Sequence, residues 1–160
     1  MKTVQLNRFV MRLVIQRCKK AAVEVGNQIV GEIDQGLLVL VGIETVDTSD
    51  DAEWLANKVV QLRIFDDPEG LMNRSIVDVD GNLLVVSQFT LHAKTKKGNR
   101  PSFIHAARPE VSKPLFENFV LLLEQKMGRK VETGVFGAHM EISMVNDGPV
   151  TILIDSQNTE

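Results

Sequence analysis

Two short polar segments interrupt apolar runs, and their residue types are those that could handle a substrate. The first, Ser87-Gln88-Phe89-Thr90-Leu91, follows the run Leu83 to Val86 and sets a hydroxyl, a side-chain amide and a second hydroxyl within four positions. These groups donate and accept hydrogen bonds, and none titrates near neutrality. As a continuing strand, Ser87 and Phe89 would face one side and Gln88 and Thr90 the other. A strand end with threonine at a favoured β position is the plainer account. The second segment, Asn146-Asp147-Gly148-Pro149-Val150-Thr151, also lies between apolar runs. Asn-Asp-Gly is turn chemistry, and Pro149 lacks the N–H that a strand would donate. A cis Gly148-Pro149 bond would suit such a site, although trans is the default for X-Pro.

Several enzyme classes leave no trace. There is no Gly-rich phosphate loop, no G-x-S-x-G elbow and no H-E-x-x-H helix, and His92, His105 and His139 form neither i,i+3 nor i,i+4 pairs. No histidine earns a catalytic role from the sequence. The single cysteine, Cys18, has no partner for an internal disulfide or a tetrahedral zinc site and reads as a small strand residue. No metal and no cofactor are expected.

The elements that must hold the two segments can be read from periodicity. Alternation around Leu13 and Ile15, then Ala21 to Val25 and Ile29 to Ile33 turning at Gly26-Asn27, predicts a β-hairpin. Gly36 to Ile43 is apolar on both faces, as in a covered central strand. Ala52, Leu55, Ala56, Val59 and Leu62 mark one face of a helix over Thr48–Phe65, with Asp50, Asp51 and Glu53 in its first turn. A short strand at Ile76 to Val79 and a longer one at Leu83 to Leu91 follow. Pro109 or Pro114 opens a second helix, which Gly128 is placed to end. The tail predicts two strands, Met140 to Val145 and Val150 to Ile154, around the turn at Asn146 to Gly148. The expected fold is therefore α+β, with a mixed or mostly antiparallel sheet and two main helices packed on one face.

The 160 residues fit one domain. Residues 1–10 precede the patterned sequence as an extension, 11–156 form the domain, and 157–160 are a tail. No apolar run approaches the ~20 residues of a membrane span, and no signal peptide is evident, so the expected location is cytoplasmic. The net charge of −3 argues against a protein that coats nucleic acid, and no DNA partner is expected. Yet residues 81–109 contain no Asp or Glu and hold Lys94, Lys96, Lys97, Arg100 and Arg108. Taken alone, such a run reads first as a solvated, mobile loop.

Ser87 to Leu91 as SQFTL and Asn146 to Thr151 as NDGPVT, in this order, resemble the motif pair of the D-aminoacyl-tRNA deacylases. The resemblance extends from Met11 over RLVIQR (Arg12 to Arg17), GLLVLVGI (Gly36 to Ile43), KGNRPSF (Lys97 to Phe103) and FGAHM (Phe136 to Met140). It implies a closed or barrel-like sheet, a homodimer with active sites at the subunit interface, and hydrolysis of the ester joining a D-amino acid or glycine to the 3′ end of tRNA. L-aminoacyl-tRNA would be rejected. In that family pattern Ser87, Gln88, Phe89 and Thr90 form the catalytic segment, with the Phe89 and Thr90 amides and the Gln88 side chain as oxyanion donors. Thr90 lacks an evident base and is expected to position rather than attack. Gly148 and Pro149, held by Arg17, Asn146 and Thr151, would sense chirality by projecting from one subunit into the other's site. Phe136, Gly137, Ala138 and Met140 would receive the terminal adenine, and Lys94, Lys96, Lys97 and Arg100 would grip acceptor-stem phosphates. The same resemblance leaves room for a nucleic-acid-binding dimer without catalysis, or an editing module that works with a synthetase.

Overall fold

A computed structural model describes residues 10–157. Positive φ at both Gly26 (56°) and Asn27 (64°) makes the tight turn that suits a right-twisted hairpin. Strand β1 (Arg12–Val25) turns there into β2 (Gln28–Ile33), and β3 (Gly36–Gly42) continues along the same edge of β1 in unchanged register, Ala21 opposite Ile33 and Cys18 opposite Gly36. Helix α1 (Ser49–Gln61) starts where the Asp51 carboxylate accepts the backbone N–H of Thr48 at 2.8 Å and its hydroxyl at 3.3 Å. It stops at Gln61, short of the expected Phe65, because Phe65 enters the small hairpin of β4 (Phe65–Asp66) and β5 (Met72–Arg74).

The expected strand at Ile76 to Val79 is a turn instead. Ser75 and Asp78 exchange side-chain-to-backbone bonds at 2.8 and 3.2 Å, which closes the chain on itself before it can pair. Strand β6 (Asn82–Ser87) lies parallel to β3, helix α2 (Pro109–Met127) opens at Pro109 with Pro114 inside it, and β7 (Glu132–Thr133) lies parallel to β6. Gly128, at φ 71°, ends α2. The tail is one strand, β8 (Glu141–Asp155), rather than two strands around a hairpin turn. The physical reason is β1: its 14 residues offer a second edge long enough to pair the whole tail antiparallel, and the Asn146–Thr151 segment becomes a bulge within that pairing.

The sheet order β2-β1-β3-β6-β7, with β8 on the outer edge of β1, gives the α+β class expected, and the sheet curls until it is nearly closed. Gly31 on β2 passes so near β7 that a Cβ there would lie 2.5 Å from the Thr133 carbonyl oxygen. Alternate residues face two cores. Leu13, Ile15, Leu37, Val39, Leu83 and Val85 pack under α1 and α2, whereas Cys18, Val23, Leu38, Leu84 and Val86 pack on the other face. Burial pushes the Cys18 thiol up to about 11, so it stays protonated as packing. Val10, assigned by sequence to the extension, is buried, and residues 1–9 and 158–160 lie outside the described residues.

One buried acid just before α1 makes stability depend on pH. Asp47 accepts the Glu44 N–H at 2.6 Å, and burial, reinforced by the Asp51 and Glu44 carboxylates, raises its pKa from 3.8 to about 7. Between those values the folded chain holds a proton that the unfolded chain has released, so stability falls as pH rises through this window and stays lower above it. Asp47→Asn keeps an acceptor and removes the titration. We expect its melting temperature to match the parent near pH 4 and to exceed it at pH 8, by a margin worth on the order of 3 kcal/mol. Thermal denaturation across that range is the check, and a margin independent of pH contradicts it.

Candidate active site

Strand β6 does not run on to Leu91. Ser87 pairs with Val41, the Gln88 N–H still donates to the Val41 carbonyl at 2.7 Å, and the chain then folds into a 3-10 turn, Phe89–His92. That turn replaces the expected alternation, so Ser87, Gln88 and Phe89 all reach one cleft, while Thr90 is exposed and accepts a hydrogen bond from Gln88 Nε2. The amides of Phe89 and Thr90 precede the turn's first internal bond, Leu91 N–H to the Gln88 carbonyl at 3.2 Å. Donors at the start of a helical turn have no partner within it, which leaves them for a ligand.

Side chains from distant elements fix the far end of the turn. Arg12 Nη1 donates to the Leu91 carbonyl at 2.9 Å while Asp155 holds the guanidinium at 2.8 and 3.3 Å. His92 is buried, with Nδ1 at 2.9 Å from Glu44 Oε1. Burial lowers the His92 pKa and raises that of Glu44, so the imidazole is neutral and its Nδ1–H serves as the donor. Neither residue lines the cleft, and the contact ties the end of the turn to the segment after β3.

The cleft encloses about 560 Å³. Val41, Ile43 and Ser87 form its floor, and Phe136, Gly137, Ala138 and Met140 form one wall. Phe136 rests against Phe116 of α2 with ring centroids 5.9 Å apart, and the chain turns at Val135–Ala138 through a 3.2 Å bond, with Gly137 at φ 76°. A second stretch of lining runs from Phe103 to Ser112 and was missed by the sequence reading as lining, apart from Phe103 in KGNRPSF. Phe103 meets Phe89 edge to face at 5.1 Å, and Ala106 and Ala107 are stitched to the end of β3, the latter by an N–H bond to the Ile43 carbonyl at 2.9 Å. The sequence placed Arg108 only in the basic run and His139 only within FGAHM, and gave no signal for Ser112.

The basic loop leaves the 3-10 turn and returns at that wall. Lys94 and Ser102 bridge its neck through backbone bonds of 2.8 and 2.9 Å, and Lys96, Lys97 and Arg100 are exposed. The other segment lies elsewhere. Its Gly148-Pro149 bond is cis, the less common X-Pro state, and the bulge that carries it sits opposite Arg17. Arg17, only 7% exposed, donates to the Asp147 carbonyl at 3.1 Å and to the Ile64 carbonyl at 2.8 Å, with Asp66 at 3.4 Å. Asn146 faces Cys18 across the pairing, and the Thr151 hydroxyl donates to Gln16 Oε1 at 3.0 Å. Along the ladder Arg17 is level with Leu37 and Leu83, four residues from the Val41–Ser87 pair. At ~3.3 Å per residue that is about 13 Å along the strands, before the sideways offset from β8 to β6 is added. Within one chain the Gly-Pro corner therefore lies outside the cleft. Among the described residues no group of three His, Cys, Asp or Glu could hold a metal ion, and no helix is long and apolar enough to cross a membrane.

The family model described as D-Tyr-tRNA(Tyr) deacylase matches residues 14–155. Proteins named D-aminoacyl-tRNA deacylase from Flavobacterium johnsoniae and Chromobacterium violaceum are 55% and 58% identical over 150 residues, covering 94% of this chain and all of each relative. A solved structure described as c-Myc DNA Unwinding Element Binding Protein superposes with a TM-score of 0.85 at 36% identity, covering 89% of this chain and 97% of that one. Another, of a probable eukaryotic D-amino acid tRNA deacylase, superposes at 0.81 with 18% identity, over 92% and 100% of the two chains, and supports the fold alone.

Proposed function

The chain belongs to the D-aminoacyl-tRNA deacylase family, and from that premise we infer that it hydrolyses the ester joining a D-amino acid to the 3′-terminal adenosine of tRNA. The observation that carries this reading is the cleft itself, lined both by Ser87, Gln88 and Phe89, where the 3-10 turn begins, and by the small-residue stretch at Phe136 to Met140. Water adds to the ester carbonyl, negative charge gathers on its oxygen, and donors already aimed there stabilise the tetrahedral species. Collapse breaks the C–O bond to the ribose and releases the amino acid and the free tRNA end, with the substrate's 2′-hydroxyl assisting the proton transfers. Gln88 supplies a third donor, and the Thr90 hydroxyl orients the Gln88 amide. Adenine lies against Phe136, Gly137, Ala138 and Met140, and Lys94, Lys96, Lys97 and Arg100 meet acceptor-stem phosphates.

Chirality requires the second segment. Because the Gly148-Pro149 corner stands outside its own chain's cleft, the complete site is built by two copies, each lending its corner to the other. Strand β8 presents exposed Ile142, Val145 and Leu153, apolar surface that a second copy can cover. A main-chain corner rejects an L side chain by collision without gripping any one side chain, and glycine, having nothing to reject, is also accepted. The deacylase unit spans residues 11–156 and works in the cytoplasm beside the translation machinery.

Purified protein incubated with D-tyrosyl-tRNA and L-tyrosyl-tRNA is expected to release D-tyrosine at least a hundredfold faster, about 2.7 kcal/mol of discrimination. Equal release of both, or of neither, removes the reading. The relative named for DNA binding favours a second one, a nucleic-acid-binding dimer without catalysis, to which tRNA binding without hydrolysis would point.

A further inference from the structure

One permanent cation in the cleft has no task in the chemistry above. Arg108 lines the cleft together with Phe136 to Met140 and is exposed. Its own carbonyl accepts the N–H groups of Val111 and Ser112, both at 2.9 Å, which fixes the backbone at the start of α2. Arg12, Arg17 and Arg129 are tied to carboxylates, but among the described residues the Arg108 guanidinium forms no ion pair. Arg108 is the residue that caps the start of α2, with Ser112 and Phe116 four and eight positions on, and Phe116 backs the Phe136 ring. Eight residues along a helix span about 12 Å, so Arg108 sits two turns from the aromatic support of the base-binding wall.

The chain path adds the direction. The basic loop ends at Phe103, where the cleft wall begins, so a strand running from the loop into the cleft passes along the wall that carries Arg108. A nucleotide seated by its base and its ester has one charged atom group left, the phosphodiester that joins it to the preceding nucleotide. That group must lie between cleft and loop. A guanidinium binds phosphate through paired N–H donors, and an arginine without a carboxylate partner gives up no ion pair to do so.

We propose that Arg108 binds the 5′-phosphate of the tRNA's terminal adenosine at the mouth of the cleft. The proposal rests on reading the cleft as the adenosine-ester site. It makes Arg108 a substrate-binding residue, distinct from the loop cations that meet phosphates further along the acceptor stem.

The test compares adenosine with adenosine 5′-monophosphate as inhibitors of D-tyrosyl-tRNA hydrolysis, and as ligands by calorimetry, for the parent, Arg108→Ala and Arg108→Lys. In the parent the monophosphate should bind about tenfold more tightly than adenosine. Arg108→Ala should close that gap while leaving adenosine affinity in place, and Arg108→Lys should keep part of it. For the tRNA, Arg108→Ala should raise KM far more than it lowers kcat and reduce the salt slope of binding by about 0.7–1. Equal binding of the two ligands by the parent overturns the proposal, as does a gap that survives Arg108→Ala. Should the parent release no D-tyrosine, the deacylase reading fails, while the calorimetric comparison still decides the role of Arg108.

Discussion

Gly148→Ala is expected to leave the protein folded and to lower D-tyrosyl-tRNA hydrolysis and D-over-L selectivity together, by about 10²-fold, the scale for a catalytic contact displaced by 1 Å. Gly148 has φ 124°, a conformation that L side chains rarely adopt, and a Cβ there would lie 3.0 Å from Arg17 Nη2, from Val150 Cγ2 and from the Val150 nitrogen. The corner has to shift, because the backbone nitrogen of Val150 cannot yield as a side-chain tip can. The cleft of the same chain is untouched, since neither Gly148 nor Pro149 lines it. A mixing experiment exploits that separation. Subunits carrying Gly148→Ala have an intact cleft, and subunits carrying Ala138→Trp, which fills the cleft where adenine is proposed to lie, have an intact corner. If corners act across the dimer, each mixed dimer has one complete site, and the mixture recovers activity that neither variant shows alone. If the mixture stays inactive although mixed dimers are demonstrably formed, the corner does not serve the partner's cleft.

Legibility in the sequence followed how local each determinant is. The Gly26-Asn27 hairpin, the acidic start of α1 and the end of α2 at Gly128 depend on residues within a turn or two, and local residue type and spacing marked them. The tail could not be read in this way. Asn146 to Gly148 has hairpin chemistry, and only the long free edge of β1 makes a continuous, bulged β8 the better pairing. Likewise, the polar run at Ser87 to Leu91 reads as a strand end. What makes it a turn is Arg12 holding the Leu91 carbonyl and Glu44 holding His92, from 79 positions away in the first case. The candidate site residues were visible as two motifs, and their division between cleft and corner came only from the family resemblance, since within one chain it follows from the β1–β3–β6 register. Arg108 was read only as one of a basic run, and without a site role, for a related reason: a cation in a basic stretch gains meaning only when the cleft it lines is known.

The Arg17 side chain should prove more costly to remove than any other polar group near the corner. It is buried, and its guanidinium bridges two chain segments, reaching the Ile64 carbonyl after α1 at 2.8 Å and the Asp147 carbonyl in the bulge at 3.1 Å. Carboxylates stand near both contacts, Asp66 at 3.4 Å and Asp147 at 3.6 Å, so the charge is compensated. Arg17→Ala leaves two carbonyls without their donor and two acids without their cation. A loss of about 2–4 kcal/mol is expected, or roughly 5–12 °C in melting temperature for a chain of this size. Stability alone does not separate a brace for the corner from a general staple, and Arg17→Lys does. An ammonium keeps the charge, but as a single point it cannot span both carbonyls with the fixed geometry of a planar fork. If the bridge sets where Gly148 and Pro149 stand, Arg17→Lys regains much of the melting temperature while D-over-L selectivity remains at least tenfold below the parent, with KM for the tRNA little changed. A lysine variant that restores stability and selectivity in equal measure shows instead that Arg17 contributes charge to the fold and nothing to the placement of the corner.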